Sequence, residues 1–254
     1  MTSLRERLSG SSTLIGTWVN TASPDLVETL GDVGFDCVFL DLEHGEYGPE
    51  ALPGLLRAAR AADCFGVVRS SGVSPHEIGA ALDAGADGVL VPNVSSAEDA
   101  ATVVSAGHYP PIGGRGAAPM TRAAGYGTTP FLAYRERIEA EVVVGVQIEG
   151  PAGIAALDAI LETAQLDLAF IGPFDLSQHL GVPGDTSHPS VVEAMTDIVE
   201  RARTRGVATA TWAPTAAAAR PWLEAGVRLL TVSSSTTLFT GAALALIEDL
   251  RTRG

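Results

Sequence analysis

Short β-branched or aliphatic runs alternate along this chain with longer Ala-rich amphipathic stretches, the pattern produced by repeated βα units. The runs TLIGTWV from Thr13, CVFLDL from Cys37, GVVRS from Gly66, GVLVP from Gly88, VVVGVQIE from Val142, LAFIGP from Leu168, VATATW from Val207 and LLTVS from Leu229 read as strands. Helices are predicted after most of them. SPDLVETLGDVG and SPHEIGAALDAG both start with a Ser cap and Pro at the first helical position, at Ser23-Pro24 and Ser74-Pro75, and SSAEDAATVVSAG follows the fourth strand. LDAGADGVLVP and LEAGVRLLTVS repeat one grammar of helix end, Ala-Gly, short connection and strand.

Eight parallel strands are the number that closes a TIM barrel, so the fold class expected is α/β, a (β/α)8 barrel. No linker or low-complexity tract divides the chain, and a single domain over residues 1–254 is expected. A doubly wound open sheet fits less well, because TWVNTASPD after the first strand lacks the glycines of a dinucleotide fingerprint. The longest irregular segment, His108 to Pro130, is rich in Gly and Pro and is expected to be an ordered active-site loop held by Arg115.

Composition then narrows the chemistry. The formal net charge of −14 argues against nucleic-acid and anionic-membrane partners, which need a positive patch. No apolar run approaches the roughly 20 residues of a membrane helix, and the first ten residues lack the apolar centre of a signal peptide, so a cytoplasmic location is expected. Cys37 and Cys64 read as buried thiols. All 16 basic residues are arginine. A chain without lysine cannot form a Schiff base at a lysine amine, which excludes lysine-dependent aldolases and pyridoxal-phosphate chemistry. Carbanion chemistry here would have to use a metal or hydrogen-bond donors.

In a TIM barrel the chemistry sits where the strands end. The residues found there are Trp18; Asp41, Glu43 and His44; Arg69; Pro92-Asn93; Gln147 and Glu149; Pro173 and Asp175; Trp212; and Ser233 to Ser235. Glu149 and Asp175, on neighbouring strand ends, are the candidate ligands of a hard cation, which commonly takes one or two protein carboxylates and keeps water and substrate in its other positions. The plainer alternative pairs Glu149 with Arg69 and uses Asp175 to cap the following helix. Arg69 could stabilise an enolate or a carboxylate, or could serve a structural ion pair inside the barrel. His44 suits a general base, with Asp41 fixing its tautomer, or it could be a satisfied surface residue. The remaining histidines show no paired zinc spacing.

Taken in order, GTW, DLEHG, VVRS, LDAGADGVLVPNVSSAEDA, YPPIGGRG, VQIEG, FIGPFDLSQHLG and HP closely resemble the HpcH/HpaI aldolases, metal-dependent class II pyruvate aldolases, from about Leu14 to Leu246. The resemblance implies a magnesium or manganese ion, with cobalt a further candidate, held by Glu149 and Asp175 on the keto and carboxylate oxygens of pyruvate, and no organic cofactor. It implies Arg69 at the enolate oxygen, His44 with Asp41 handling the proton of the aldol hydroxyl, Gln147 in the outer shell of the metal and Trp18 lining the substrate pocket. Backbone amides at the turn where Gly172-Pro173-Phe174-Asp175 enters a helix would hold the pyruvate carboxylate. It also implies a homo-oligomer, a hexamer built as a trimer of dimers with exchanged C-terminal helices.

The chain departs from the family pattern late. Thr211 and Trp212 stand where a small or aliphatic residue is usual after the seventh strand, and SSST replaces a GVDT-like turn after the eighth. The aldehyde side of the pocket is therefore expected to differ, with Trp212 as part of it. The leading expectation is retro-aldol cleavage of a 4-hydroxy-2-oxo acid to pyruvate and an aldehyde. The alternatives are oxaloacetate decarboxylation, other carbon-carbon bond formation or acyl-CoA lyase chemistry at the same site, and a barrel that only binds an oxo acid.

Overall fold

The computed structural model describes residues 2–252. Eight parallel strands, β1 (Leu14–Val19), β2 (Cys37–Asp41), β3 (Phe65–Arg69), β4 (Gly88–Val91), β5 (Val143–Ile148), β6 (Leu168–Ile171), β7 (Ala208–Ala213) and β8 (Leu229–Ser234), close in sequence order, with β8 pairing back on β1. The predicted runs coincide with these strands to within about two residues at each end, because buried parallel strands carry a continuous apolar signal. The expected (β/α)8 barrel is the fold observed.

The helices are α1 (Leu4–Ser9), α2 (Pro24–Asp32), α3 (Leu52–Ala61), α4 (Pro75–Asp83), α5 (Ala97–Gly107), α6 (Phe131–Glu141), α7 (Pro151–Ala155), α8 (Leu157–Leu161), α9 (Pro173–His179), α10 (Pro189–Thr204), α11 (Ala216–Glu224) and α12 (Ser235–Thr252). Ser23, Ser74 and Ser96 cap α2, α4 and α5 by accepting from Leu26, Glu77 and Asp99 amides, as the sequence predicted for the first two.

Alternation along the strands separates two cores. Val38 and Leu40 face outward into the layer between strands and helices, while Phe39 faces the barrel interior with Leu14, Val67, Leu90, Leu168 and Phe170. Leu4 and Leu8 of α1 join the interior cluster and close the barrel at the amino ends of the strands. The floor is therefore apolar, and the polar side chains of the strands gather at the opposite rim. Both cysteines are buried and free.

Two segments differ from expectation or stand apart. The long segment before α6 does not cover the mouth of its own barrel. Arg115 is indeed its anchor, but it pairs with Asp83 at the end of α4 (2.6 Å), while Arg122 donates to the Ala84 carbonyl and the Ala123 amide to Asp83. Helix α4 runs toward the floor at that end, so Arg115 draws the segment along the outside of the barrel. Helix α12 buries only Ser235 and exposes Phe239, Leu244, Leu246 and Leu250. No helix among the described residues is long and apolar enough to cross a membrane.

Candidate active site

Asp41 and Arg69 are the last residues of β2 and β3 and stand opposite each other in the ladder. Both are buried, at 1% and 8% exposure. Arg69 donates from Nε to Asp41 Oδ1 (2.9 Å) and from Nη2 to Oδ2 (2.7 Å), a two-pronged pairing that only the planar guanidinium can make. Its Nη1 lies 3.0 Å from Glu43 Oε2, and its guanidinium carbon lies 4.2 Å from the centre of the Trp18 ring. The indole is fixed in turn, donating from Nε1 to Thr231 Oγ1 (2.9 Å). Asp41 Oδ1 also accepts the backbone amides of Glu43 (3.1 Å) and His44 (3.3 Å), so one carboxylate shapes the turn after β2 and orients the arginine.

The opposite side, at the ends of β5 and β6, is built from carboxylates with no basic side chain paired to them among the described residues. Glu149 is 4% exposed; its Oε1 accepts the Asn93 amide (2.8 Å) and its Oε2 accepts from Gln147 Nε2. Burial pushes the Glu149 carboxyl above the ordinary carboxylate range, and the negative charges of Asp175 and Glu43 push it further, against the two donated hydrogen bonds. Glu43 is raised in the same direction, mainly by burial and in opposition to Arg69. Gly172, buried after β6, passes so close that a Cβ there would stand 2.7 Å from Glu149 Oε2 and 2.8 Å from Glu149 Cβ. Only glycine leaves that space.

Asp175 sits exposed in the first turn of α9, and Gly172, not Asp175, occupies the cap position. Gln147 Oε1 is buried and has no partner among the described residues, an open acceptor beside Glu149. These features fit a hard divalent cation. They supply a buried carboxylate at Glu149, an exposed one at Asp175, an unused amide oxygen and a space kept clear by glycine. Among the described residues, no group of three or more His, Cys, Asp or Glu side chains could hold a metal between them.

The pattern of the HpcH/HpaI aldolase/citrate lyase family matches residues 14–242. The chain belongs to that family. It is 36% identical over 231 residues to a hydroxypyruvate/pyruvate aldolase of Sagittula stellata, covering 91% of this chain and 90% of that protein. It is 35% identical over 244 residues to a 5-keto-4-deoxy-D-glucarate aldolase of Salmonella paratyphi C, covering 96% and 94%. A crystal structure of an HpcH/HpaI aldolase/citrate lyase family protein from Burkholderia cenocepacia superposes with a TM-score of 0.92 at 35% identity, covering 99% of this chain and all of that one. As a member of a family whose similar members are named aldolases, the chain is an enzyme, a carbon-carbon lyase.

Set against the roles that the HpcH/HpaI resemblance implied, the geometry makes one correction. The Asp41 carboxylate does not meet the His44 ring, because the ladder places it against Arg69 and its remaining capacity goes to the turn amides. The His44 side chain is 69% exposed, and the acid beside its Nε2 is Glu43, at 3.8 Å. The alternative pairing of Arg69 with Glu149 is not formed, since both charged partners of Arg69 come from the β2 side. Trp212 is half-buried over the interior cluster, its Nε1 donating to the Ser233 carbonyl (3.1 Å), and Phe174 stands 50% exposed at the rim with Pro173 buried beside it. Two residues had no role assigned from sequence. Glu43 proves to be the second partner of Arg69, and Asn93 touches both carboxylate groups. Their only signal was position at a strand end.

Proposed function

We propose that this enzyme cleaves 4-hydroxy-2-oxo acids reversibly to pyruvate and an aldehyde. The observation that carries the reading is two unlike half-sites bridged by Asn93: Arg69, buried and held by Asp41, and Glu149, buried beside the open Gln147 Oε1. In a chain without lysine, such an arrangement supports an enolate by directed charge rather than by an imine. Glu149 and Asp175 would hold a divalent cation, magnesium or manganese or else cobalt, with Gln147 beside it; when bound, it supplies positive charge where the enolate grows.

The residues then divide the work. The first-turn backbone amides of α9 that the helix leaves free, those of Phe174 and Asp175, hold the carboxylate of the oxo acid, since Pro173 has no N–H and Gly172 donates to the Ile148 carbonyl. His44, at the rim, takes the proton of the C4 hydroxyl; the C3–C4 bond breaks, the aldehyde leaves, and the bonding pair passes into the enolate of pyruvate. Arg69, held by Asp41 through Nε and Nη2 and by Glu43 through Nη1, supports the enolate oxygen with the guanidinium hydrogens that those carboxylates leave free. Protonation at C3 completes pyruvate. Trp18 and Trp212 wall the cavity, Trp212 on the aldehyde side.

The exposed apolar face of α12 supports assembly with further copies of this chain, the hexamer that the sequence suggested, with residues 1–254 acting as one domain in the cytoplasm. Light scattering on the purified protein checks the assembly: a monomer would overturn it.

The function is tested by exchange of pyruvate methyl protons in heavy water, which requires no knowledge of the aldehyde. Exchange that depends on added Mg2+ or Mn2+ and disappears in Glu149→Gln is expected. Exchange that proceeds equally with chelator, or none under any metal, overturns the reading.

A further inference from the structure

Strand β4 lies between β3, which carries Arg69, and β5, which leads to Glu149. Two residues beyond its end the chain reaches Asn93, exposed between the buried Pro92 and Val94. Asn93 adopts φ +56°, the left-handed region that most side chains avoid and that Asn enters at lower cost. From this one residue, two donors run in opposite directions. The backbone amide donates to Glu149 Oε1 (2.8 Å), 56 residues away in sequence, and the side-chain Nδ2 donates to Glu43 Oε1 (3.2 Å), 50 residues away.

Each acceptor has its other oxygen committed to its own half of the site. Glu149 Oε2 takes the Gln147 amide. Glu43 Oε2 faces Arg69 Nη1 at 3.0 Å and His44 Nε2 at 3.8 Å. No other single residue among the described hydrogen bonds contacts both carboxylates. Without the two Asn93 contacts, Glu149 would have one donor against its burial, and Glu43 Oε1 would lose its donor, leaving that carboxylate placed only through Oε2, by Arg69 and His44.

We propose that Asn93 is a positioning residue that sets the spacing of the two half-sites, its left-handed backbone aiming an amide at Glu149 while its side chain fixes Glu43 against Arg69 and His44. The inference rests on the functional reading above, in that the Glu149 side receives the cation and the Arg69 side receives the enolate oxygen. Its two contacts are separable. The backbone contact acts on the cation side, and the side-chain contact acts on the arginine side.

Substitutions at this position divide the two effects. Glycine keeps the left-handed backbone and its amide but removes Nδ2. Alanine and valine remove Nδ2 and also strain the backbone, valine more, because its branched Cβ is crowded at positive φ. The measurements are Mn2+ affinity by electron paramagnetic resonance of the free ion, the rate of pyruvate methyl exchange at saturating Mn2+, and the thermal midpoint.

In Asn93→Gly, Mn2+ affinity within about twofold of native and exchange slowed about fivefold are expected, the size of effect that loss of one partly exposed hydrogen bond has on a positioned group. In Asn93→Ala and Asn93→Val, Mn2+ affinity is expected to weaken by about threefold and tenfold, in line with the rising cost of the left-handed backbone. A residue that served stability alone would move the thermal midpoint and leave exchange at saturating Mn2+ unchanged. Native exchange in Asn93→Gly, or native Mn2+ affinity in both Asn93→Ala and Asn93→Val, overturns the proposal while native Mn2+ binding and exchange leave the function standing. A native protein that binds no Mn2+ overturns both.

Discussion

The two halves of the barrel mouth are built on opposite electrostatic plans. On the β2–β3 side a buried cation is matched: Arg69 meets Asp41 through two hydrogen bonds and Glu43 through a third contact, and its face rests on Trp18. On the β5–β6 side Glu149 has amide donors but no basic side chain among its described partners, and burial with two further acids raises its proton affinity. The first half is complete as folded and can hold geometry. The second has no basic partner among the described residues, which makes it the half on which the proposed cation would act.

The contrast is open to direct attack, and the largest effect falls on the unmatched side. Glu149→Gln is expected to reduce metal-dependent pyruvate exchange more than about 1000-fold, the scale of losing a cation that stabilises developing charge. Its stability to urea should be unchanged or higher, since an unpaired buried carboxylate is removed. A clear loss of stability would mean that Glu149 is matched after all.

His44→Asn should slow aldol cleavage by about 100-fold to 1000-fold, typical for loss of a general base, while pyruvate exchange falls far less. Its exposed side chain predicts an unchanged urea midpoint. Equal loss of both activities would place His44 in enolate formation instead.

Asp41→Asn attacks the matched side and should act mainly on stability. It leaves Arg69 buried with one full carboxylate partner, a change that costs about 3 kcal/mol when a buried ion pair loses one member. Urea denaturation would show it, and a loss below about 1 kcal/mol, the size of a surface pair, would make the pairing incidental.

The smallest effect is on pH. Because the Glu149 carboxyl titrates above its ordinary value in the fold, the stability it contributes to the metal-free protein is present at pH below the unfolded carboxylate range and is lost as pH rises through its raised value. A cation competes with that proton, so Mn2+ affinity should fall by up to about tenfold per pH unit on acidification through that raised value. Affinity that stays flat until the ordinary carboxylate range contradicts the raised proton affinity of this half.

Which of these residues could be found before folding depended on how local their cause was. Glu149 and Arg69 were visible because each follows an apolar strand run directly, in QIEG and VVRS. Asp41 was visible as a site residue and misread as the partner of His44. Proximity in sequence suggested that pairing, whereas pairing of neighbouring strands joined it to Arg69, 28 residues on. Asn93 had no local signature for its role, because its two acceptors lie on strands separated from it by whole βα units.

The long Gly- and Pro-rich segment before α6 was legible as ordered and as held by Arg115. Its path was not, because Asp83 lies in a different βα unit and only packing brings the two together. Sequence alone determined what depends on periodicity and on residue chemistry: the eight strands, the serine caps, the barrel, the polar strand ends and the exclusion of lysine chemistry. Tertiary structure alone decided which charges neutralise each other and which carboxylates have no basic partner. Charge matching depends on distances of a few ångströms between residues tens of positions apart, and those distances exist only once the barrel has closed.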